Sequence, residues 1–162
     1  MNNQTIRVRR LILIIWAVWS LVVALSNIFD ALRNLGIIPS GFKFVSGNFG
    51  YIQAATSIYS LPVWIDSILF AIVIIWEALM AYYFFKAFLN TSVENNRSIL
   101  YTPFILGFAL FGGFLIMDEI LIAYDRLGSI EQNHFVIFAA LMISLLTVSL
   151  LPAASINKKE NS

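Results

Sequence analysis

Four long apolar runs in this sequence limit what the chain can fold into. The runs cover about residues 11–29, 63–85, 103–123 and 135–151. At 1.5 Å per residue, a helix over each run comes close to spanning the ~30 Å hydrocarbon core of a bilayer. Because 60% of the 162 residues are hydrophobic and only 12% are charged, a soluble domain of this size could not bury the apolar surface. We therefore predict an all-α membrane protein, a single domain over residues 1–162 that forms a four-transmembrane-helix bundle in the lipid bilayer.

The basic residues predict how the spans are oriented. Positively charged loops are enriched on the cytoplasmic side of membranes. With four spans, both ends of the chain share one side with the connection between the second and third spans. That side carries most of the 10 Lys and Arg residues, namely Arg7, Arg9, Arg10, Lys86, Arg97, Lys158 and Lys159. Only Arg33, Lys43 and Arg126 remain for the other side, so we predict a multi-pass protein of a cell inner membrane with both termini in the cytoplasm.

The connection over residues 30–62 is the longest and is too apolar for an ordinary loop. It contains Phe42, Phe44 and Tyr51 among other large side chains. We predict that this outer loop packs as a cap at the membrane interface, with a short surface helix over residues 51–61. A re-entrant segment that dips into the membrane is the alternative.

The third span carries signals for its start and for its packing. Thr102 and Pro103 fit the N-cap and the first residue of the helix. Ala109 and Gly113 form a pair of small residues four apart, which lets two helices approach closely, and Gly112 lies beside them. We predict a helix-packing seam at these three small residues.

Glu77 is the most informative single residue because it lies near the middle of the second span. A carboxylate at that depth costs at least ~2.5 kcal/mol, so its side chain should face protein and not lipid. Asp66 lies three turns earlier and shares its helix face. One interpretation is a proton or cation site between helices; the other is an acid that hydrogen-bonds a neighbouring helix and holds it in place. We favour the second, because a lone acid without a cationic partner makes a poor relay.

Further acids lie at or near the outer side of the spans. Asp30, Asp66, Asp118 and Glu119 could supply oxygen ligands to a hard cation such as Ca²⁺. The favoured alternative is a hydrogen-bonded cluster at the water interface, in which the acids meet Arg33, Lys43 and Arg126. The spacing does not match a known calcium loop, and the sequence does not decide whether a metal binds.

Several classes of function find no support in the sequence. There is no cysteine, and His134 is the one histidine, so a site that needs several histidine or thiolate ligands cannot form within this chain. No catalytic triad, phosphate-binding loop or dinucleotide motif is present. The net charge of +1 gives no general attraction to nucleic acid. We therefore predict no enzymatic activity, no cofactor and no nucleic-acid partner.

Motifs along nearly the whole chain resemble one bacterial family, the predicted small integral membrane proteins catalogued as a domain of unknown function. The motifs are Asn27-x-x-Asp30, Phe44-Val45, Ile74-Ile75 followed by Glu77-Ala78-Leu79, Leu106-Gly107-Phe108, and Glu119. The resemblance implies four spans. It implies no activity, and Leu121 stands where the family has an aromatic residue.

Three functional hypotheses follow from these observations. The first is an accessory or structural subunit that binds other membrane protein subunits, or further copies of itself, within the bilayer. The second is a small transporter or a proton or cation conduit that uses Glu77 and the outer acids. The third is a protein that binds a lipid or a quinone. We favour the first, because small size, few charges and no catalytic motif suit a subunit of a larger complex.

Overall fold

The computed structural model describes residues 3–91, 97–122 and 130–151, and all regular structure in these ranges is helical. The helices are α1 (Asn3–Asn34), α2 (Asn48–Thr56), a 3₁₀ turn (Ser57–Tyr59), α3 (Val63–Leu89), α4 (Arg97–Ile120) and α5 (Ile130–Leu150). Four of them, α1, α3, α4 and α5, are long and apolar enough to cross a membrane. This confirms the prediction of an all-helical protein with four candidate membrane spans.

The observed helices differ from the predicted runs mainly at their ends. α1 continues five residues past the predicted end at position 29, and α5 begins five residues before position 135. Polar residues at these ends continue the helix, whereas the prediction rested on the apolar runs alone. The predicted end of the third run, Ala123, lies outside the described residues.

The predicted start of the third span at Thr102 and Pro103 is wrong. α4 begins at Arg97, which places Pro103 inside the helix. The hydroxyl of Thr102 donates a hydrogen bond to the carbonyl of Ser98, 2.8 Å away and one turn earlier. A threonine before a proline therefore does not distinguish a helix start from a position in the second turn, where the hydroxyl bonds back to the helix.

The four long helices pack in the order in which they follow one another in the sequence. α1 packs on α3, α3 on α4 and α4 on α5, and α1 also contacts α5. The ring of Phe84 on α3 joins three of them, because it stacks on Trp16 of α1 at 6.1 Å and meets Phe104 of α4 edge-on at 5.1 Å. The other buried residues of the apolar core lie on the inward faces of the four long helices: Leu13, Ala17, Met80, Ala87, Leu110, Phe111, Leu141 and Val148.

Large apolar side chains cover the opposite faces of the same helices. Val18, Ile75, Ile105 and Ile143 are each more than half exposed. Exposed apolar surface along every long helix is far more than a soluble monomer carries. The helices therefore have outward faces of the kind that lipid covers.

Of the three glycines on α4, Gly107 makes the closest approach to a neighbouring helix. A Cβ atom at this position would lie 2.8 Å from Cδ1 of Leu141 on α5. At the predicted seam, Ala109 is exposed, nothing lies within 4 Å of a Cβ at Gly113, and a Cβ at Gly112 would lie 3.5 Å from Phe138. The inward face of α4 runs through position 107, and Ala109, two residues further on, points to the opposite side.

We expect Gly107→Val to destabilise the protein by about 1–3 kcal/mol, because the added methyl groups overpack the contact with Leu141. Gly113→Val is the matched control, because Gly113 lies on the same helix and no atom lies within 4 Å of a Cβ at that position. Unfolding in mixed micelles, followed by circular dichroism, measures both. Equal losses for the two variants would contradict the assigned packing face.

Arg9 joins the two ends of the described chain. Its Nε donates a hydrogen bond to the carbonyl of Val148 at 3.1 Å, and its Nη2 donates to the carbonyl of Leu151 at 2.5 Å. The last carbonyls of a helix have no partner within the helix, and a cation at this end also suits the helix dipole. The guanidinium therefore caps α5 from α1.

We expect Arg9→Met to lower the free energy of unfolding by about 1.5–3 kcal/mol, since hydrogen bonds from a charged donor are lost. Arg7→Met removes the same charge from an exposed position two residues away and should change stability by less than ~0.5 kcal/mol. The same micelle unfolding experiment compares them. A loss that is no larger at Arg9 than at Arg7 would refute the cap.

Candidate functional site

The acid in the middle of α3 lies in the contact with α1. Glu77 is 5% exposed and Asn27 is fully buried. The side-chain amide of Asn27 donates a hydrogen bond from Nδ2 to Oε2 of Glu77 at 2.6 Å. A buried carboxyl group without a partner would cost several kcal/mol, so this bond is a main reason that the acid can occupy this place.

The polar contact continues from α1 to α2. Asn48, the first residue of α2, donates a hydrogen bond from Nδ2 to Oδ1 of Asn27 at 2.8 Å. The two bonds fix the orientation of the Asn27 amide, because its oxygen accepts on one side and its nitrogen donates on the other. A line of three side chains, Asn48–Asn27–Glu77, therefore links three helices.

Asp30, one turn further along α1, holds the N-terminus of α2. It is 1% exposed, and its Oδ2 accepts the backbone N–H of Phe49 at 2.9 Å and the hydroxyl of Ser46 at 3.3 Å. Its Oδ1 accepts a bond from Arg33 at 3.1 Å. α2 has no side-chain cap from its own N-cap residue, Gly47. The carboxylate supplies that cap from α1, at the helix end that favours negative charge.

Asp66 holds the other end of α2. The hydroxyl of Thr56, the last residue of α2, donates a hydrogen bond to Oδ1 of Asp66 at 2.7 Å. Both side chains are buried, with 4% and 3% of their surface exposed. Asp66 and Glu77 are therefore both buried on one face of α3, as their spacing predicts, but Asp66 bonds α2 directly whereas Glu77 bonds Asn27 of α1.

These contacts define the direction of α2. Its first residue lies at the level where Asn27 meets Glu77, and its last residue bonds Asp66. Asp66 and Glu77 are eleven residues apart, about 16 Å along α3, and a nine-residue helix is about 13 Å long. α2 therefore runs along α3 and does not lie across its end.

The chain before α2 turns back between the candidate spans. After α1 ends, Gly36 adopts a φ of 71°, and the backbone N–H of Ser46 donates to the carbonyl of Ser26 at 3.2 Å. The segment has therefore returned by two turns of α1 before α2 begins. α2 therefore begins beside Asn27 and packs against both α1 and α3.

The acids of α4 lie elsewhere. Oδ2 of Asp118 lies 2.7 Å from Nδ1 of His134 on α5, and the ring of Phe114 packs on the imidazole at 4.7 Å. Glu119 is exposed. Within residues 3–91, 97–122 and 130–151, no three His, Asp or Glu side chains come close enough to hold a metal ion. The candidate acids are thus divided between two places in the described fold.

The proposed basic partners of these acids are also divided. Arg33 pairs with Asp30, Lys43 is exposed, and Arg126 lies outside the described residues. The contributions of Asn48 and Thr56 could not be predicted from the sequence, since both are polar residues of the connection over residues 30–62 and belong to no distinguishing motif.

No family model, no curated protein and no solved structure matches this chain. The resemblance to the small integral membrane family therefore stays a prediction.

We expect Asn27 and Glu77 to show strong coupling in a double-mutant cycle. Asn27→Ala and Glu77→Ala should each destabilise the protein, because each leaves a buried polar partner unsatisfied at about 1–3 kcal/mol. The double variant should lose at least ~0.5 kcal/mol less than the sum of the two. Thr147→Val on α5, whose hydroxyl bonds its own helix, is the control partner and should combine additively with Asn27→Ala. Additive losses for the first pair would contradict the contact.

Proposed function

We propose that this chain is a multi-pass protein of the cell inner membrane, with four spans in a bundle and both termini in the cytoplasm. In that membrane it acts as an accessory or structural subunit that binds laterally to a larger membrane complex. The partner is recognised through surface complementarity within the bilayer, and the chain itself carries out no chemical step.

The observation that carries this proposal is how the buried acids are used. Glu77, Asp30, Asp66 and Asp118 each make a hydrogen bond with a group on another helix of the same chain. In membranes, such contacts hold helices together. Acids that are already bonded within the fold suit a scaffold better than a catalyst or a carrier.

The outward surface of α5 supports a lateral partner. In the most apolar stretch of α5 only 11% of residues are buried, against 28% in each of the other three long helices. Val136, Ile143 and Leu150 recur every seven residues and are all strongly exposed. An apolar stripe of this regular spacing is the kind of surface on which a membrane helix packs.

Cation–aromatic contacts support the proposed orientation. Arg10 lies 4.7 Å from the centre of the Phe88 ring, and Lys86 lies 5.8–5.9 Å from the rings of Tyr82 and Tyr83. All five residues belong to one end of α1 and α3. Tyrosine and basic residues together are typical of the cytoplasmic interface of a span.

Photo-crosslinking in native membranes tests the accessory role. A photoreactive residue at Val18, Ile75, Ile105 or Ile143 probes the outward face of one long helix at a time. A subunit with a fixed partner should give one protein adduct from one or two of these positions, and lipid adducts from the others. Mass spectrometry then identifies the adduct, and native gels should show the chain migrating with it. Lipid adducts at all four positions, together with a free monomer in mild detergent, would refute the role.

A second candidate, a proton or cation conduit, is favoured by the line Asn48–Asn27–Glu77, which leads from α2 to the middle of α3. The hydroxyl of Ser20, two turns further along the same face of α1, is buried without a partner among the described residues. Amide groups donate hydrogen bonds but do not pass protons on readily, so the line as it stands is closed.

Flux measurements in proteoliposomes decide between the two candidates. A conduit should show a proton or cation flux that Glu77→Gln removes. Absence of flux, or a flux that persists in Glu77→Gln, would rule out a conduit that uses Glu77. The accessory role would then be the remaining candidate.

A further inference from the structure

We propose that α2 is a gate: it shields Asn27 and Glu77 from water on one side of the membrane, and it opens as a unit when its polar contacts with α1 and α3 are released. This inference rests on the membrane location proposed above, and it is independent of the identity of any partner.

The first observation is that α2 is attached at three separate points. Asn48 bonds Asn27, the backbone of Phe49 bonds Asp30, and Thr56 bonds Asp66. All three contacts are hydrogen bonds that water could replace, and the 3₁₀ turn that follows α2 adds one more, from the hydroxyl of Tyr59 to the carbonyl of Ile120 on α4 at 3.0 Å. Segments held in this way open locally at a lower free energy than the whole fold.

The second observation is that the unit has a hinge residue at each end. Gly47, just before α2, has a φ of 79°, and Ser60, just after the 3₁₀ turn, has a φ of 50°. Both lie in the left-handed region, which few residues other than glycine adopt without cost. Residues 48–59 therefore form one helical unit between two sharp turns, and rotation at these turns moves the unit without unwinding it.

The third observation is what α2 covers. The ring of Phe49 packs on Phe70 of α3 at 5.6 Å, and both are buried. Asn27 and Asp30, directly beside them, are 0% and 1% exposed. With α2 in place, Asn48 donates to the oxygen of the Asn27 amide. If α2 moves away, water reaches that amide, and Glu77 lies one hydrogen bond further in.

Cysteine accessibility tests the gate, since the sequence contains no cysteine and a single introduced thiol gives an unambiguous signal. Ala24 and Ala17 are both buried on the inward face of α1, one turn and about three turns from Asn27. Ala24→Cys reports opening near α2, and Ala17→Cys is the matched reporter deeper in the protein. Ser40→Cys, in the exposed loop before α2, marks the side from which a membrane-impermeant thiol reagent has access.

The releasing variant combines Asn48→Ala with Thr56→Val, which removes two of the three contacts. The control is Gln53→Ala, a half-buried position of α2 that takes part in none of the three. In sealed vesicles, the releasing variant should raise the labelling rate of Ala24→Cys by about tenfold or more, from the side that labels Ser40→Cys. Gln53→Ala should leave the rate within about twofold, and Ala17→Cys should stay protected throughout.

Three outcomes would overturn the gate: an unchanged rate at Ala24→Cys, an equal rise at Ala17→Cys, or an equal effect of Gln53→Ala. Labelling of Ser40→Cys from the cytoplasmic side alone would instead refute the proposed orientation in the membrane. Amide hydrogen exchange of the parent protein supplies a second measurement that needs no variant. The amides of α2 should exchange at least about tenfold faster than those of α3 around Glu77, and equally slow exchange would also overturn the gate.

Discussion

The hydrogen bond between Asn27 and Glu77 is the interaction on which the rest of this structure depends. A carboxyl group in the middle of an apolar helix excludes lipid as a neighbour, so α3 must turn that face toward protein. Asn27 meets it at 2.6 Å and fixes how α1 lies against α3. The apolar contacts of Trp16 with Phe84 then continue the same helix pair toward its other end.

The same constraint explains why α2 packs against α1 and α3. The Asn27 amide uses its nitrogen on Glu77, which leaves its oxygen to be satisfied inside the protein, and Asn48 supplies the donor. Asp30 and Asp66 then bind the two ends of α2. Polar groups that would be costly alone become, in this arrangement, the supports of a short helix between the candidate spans. A fastening role and a gate are therefore compatible, because the contacts that hold α2 also determine when it can leave.

How far the sequence could predict this fold depended on the range of each signal. The four long helices and the inward orientation of Glu77 follow from local hydropathy and the cost of a buried acid. The inward face of α4 did not follow, because Gly107 and Ala109 are both small and only the neighbouring Leu141 distinguishes them. Asn48 and Thr56 could not be identified, since each bonds a residue that is distant in the sequence and no periodic pattern connects the two. The shared face of Asp66 and Glu77 was predictable, but their different partners, Thr56 of α2 and Asn27 of α1, were not.

The most direct measurement of the central claim is solid-state nuclear magnetic resonance on the protein in lipid bilayers, with labelled side-chain nitrogen in asparagine and labelled carboxyl carbon in glutamate. A hydrogen bond of 2.6 Å from the Asn27 amide nitrogen to a Glu77 carboxyl oxygen requires a measurable dipolar coupling between that nitrogen and the Glu77 carboxyl carbon, and Asn27→Leu should abolish that signal. A missing coupling, or a Glu77 carboxyl group in contact with mobile water or lipid chains, would contradict the account of this fold.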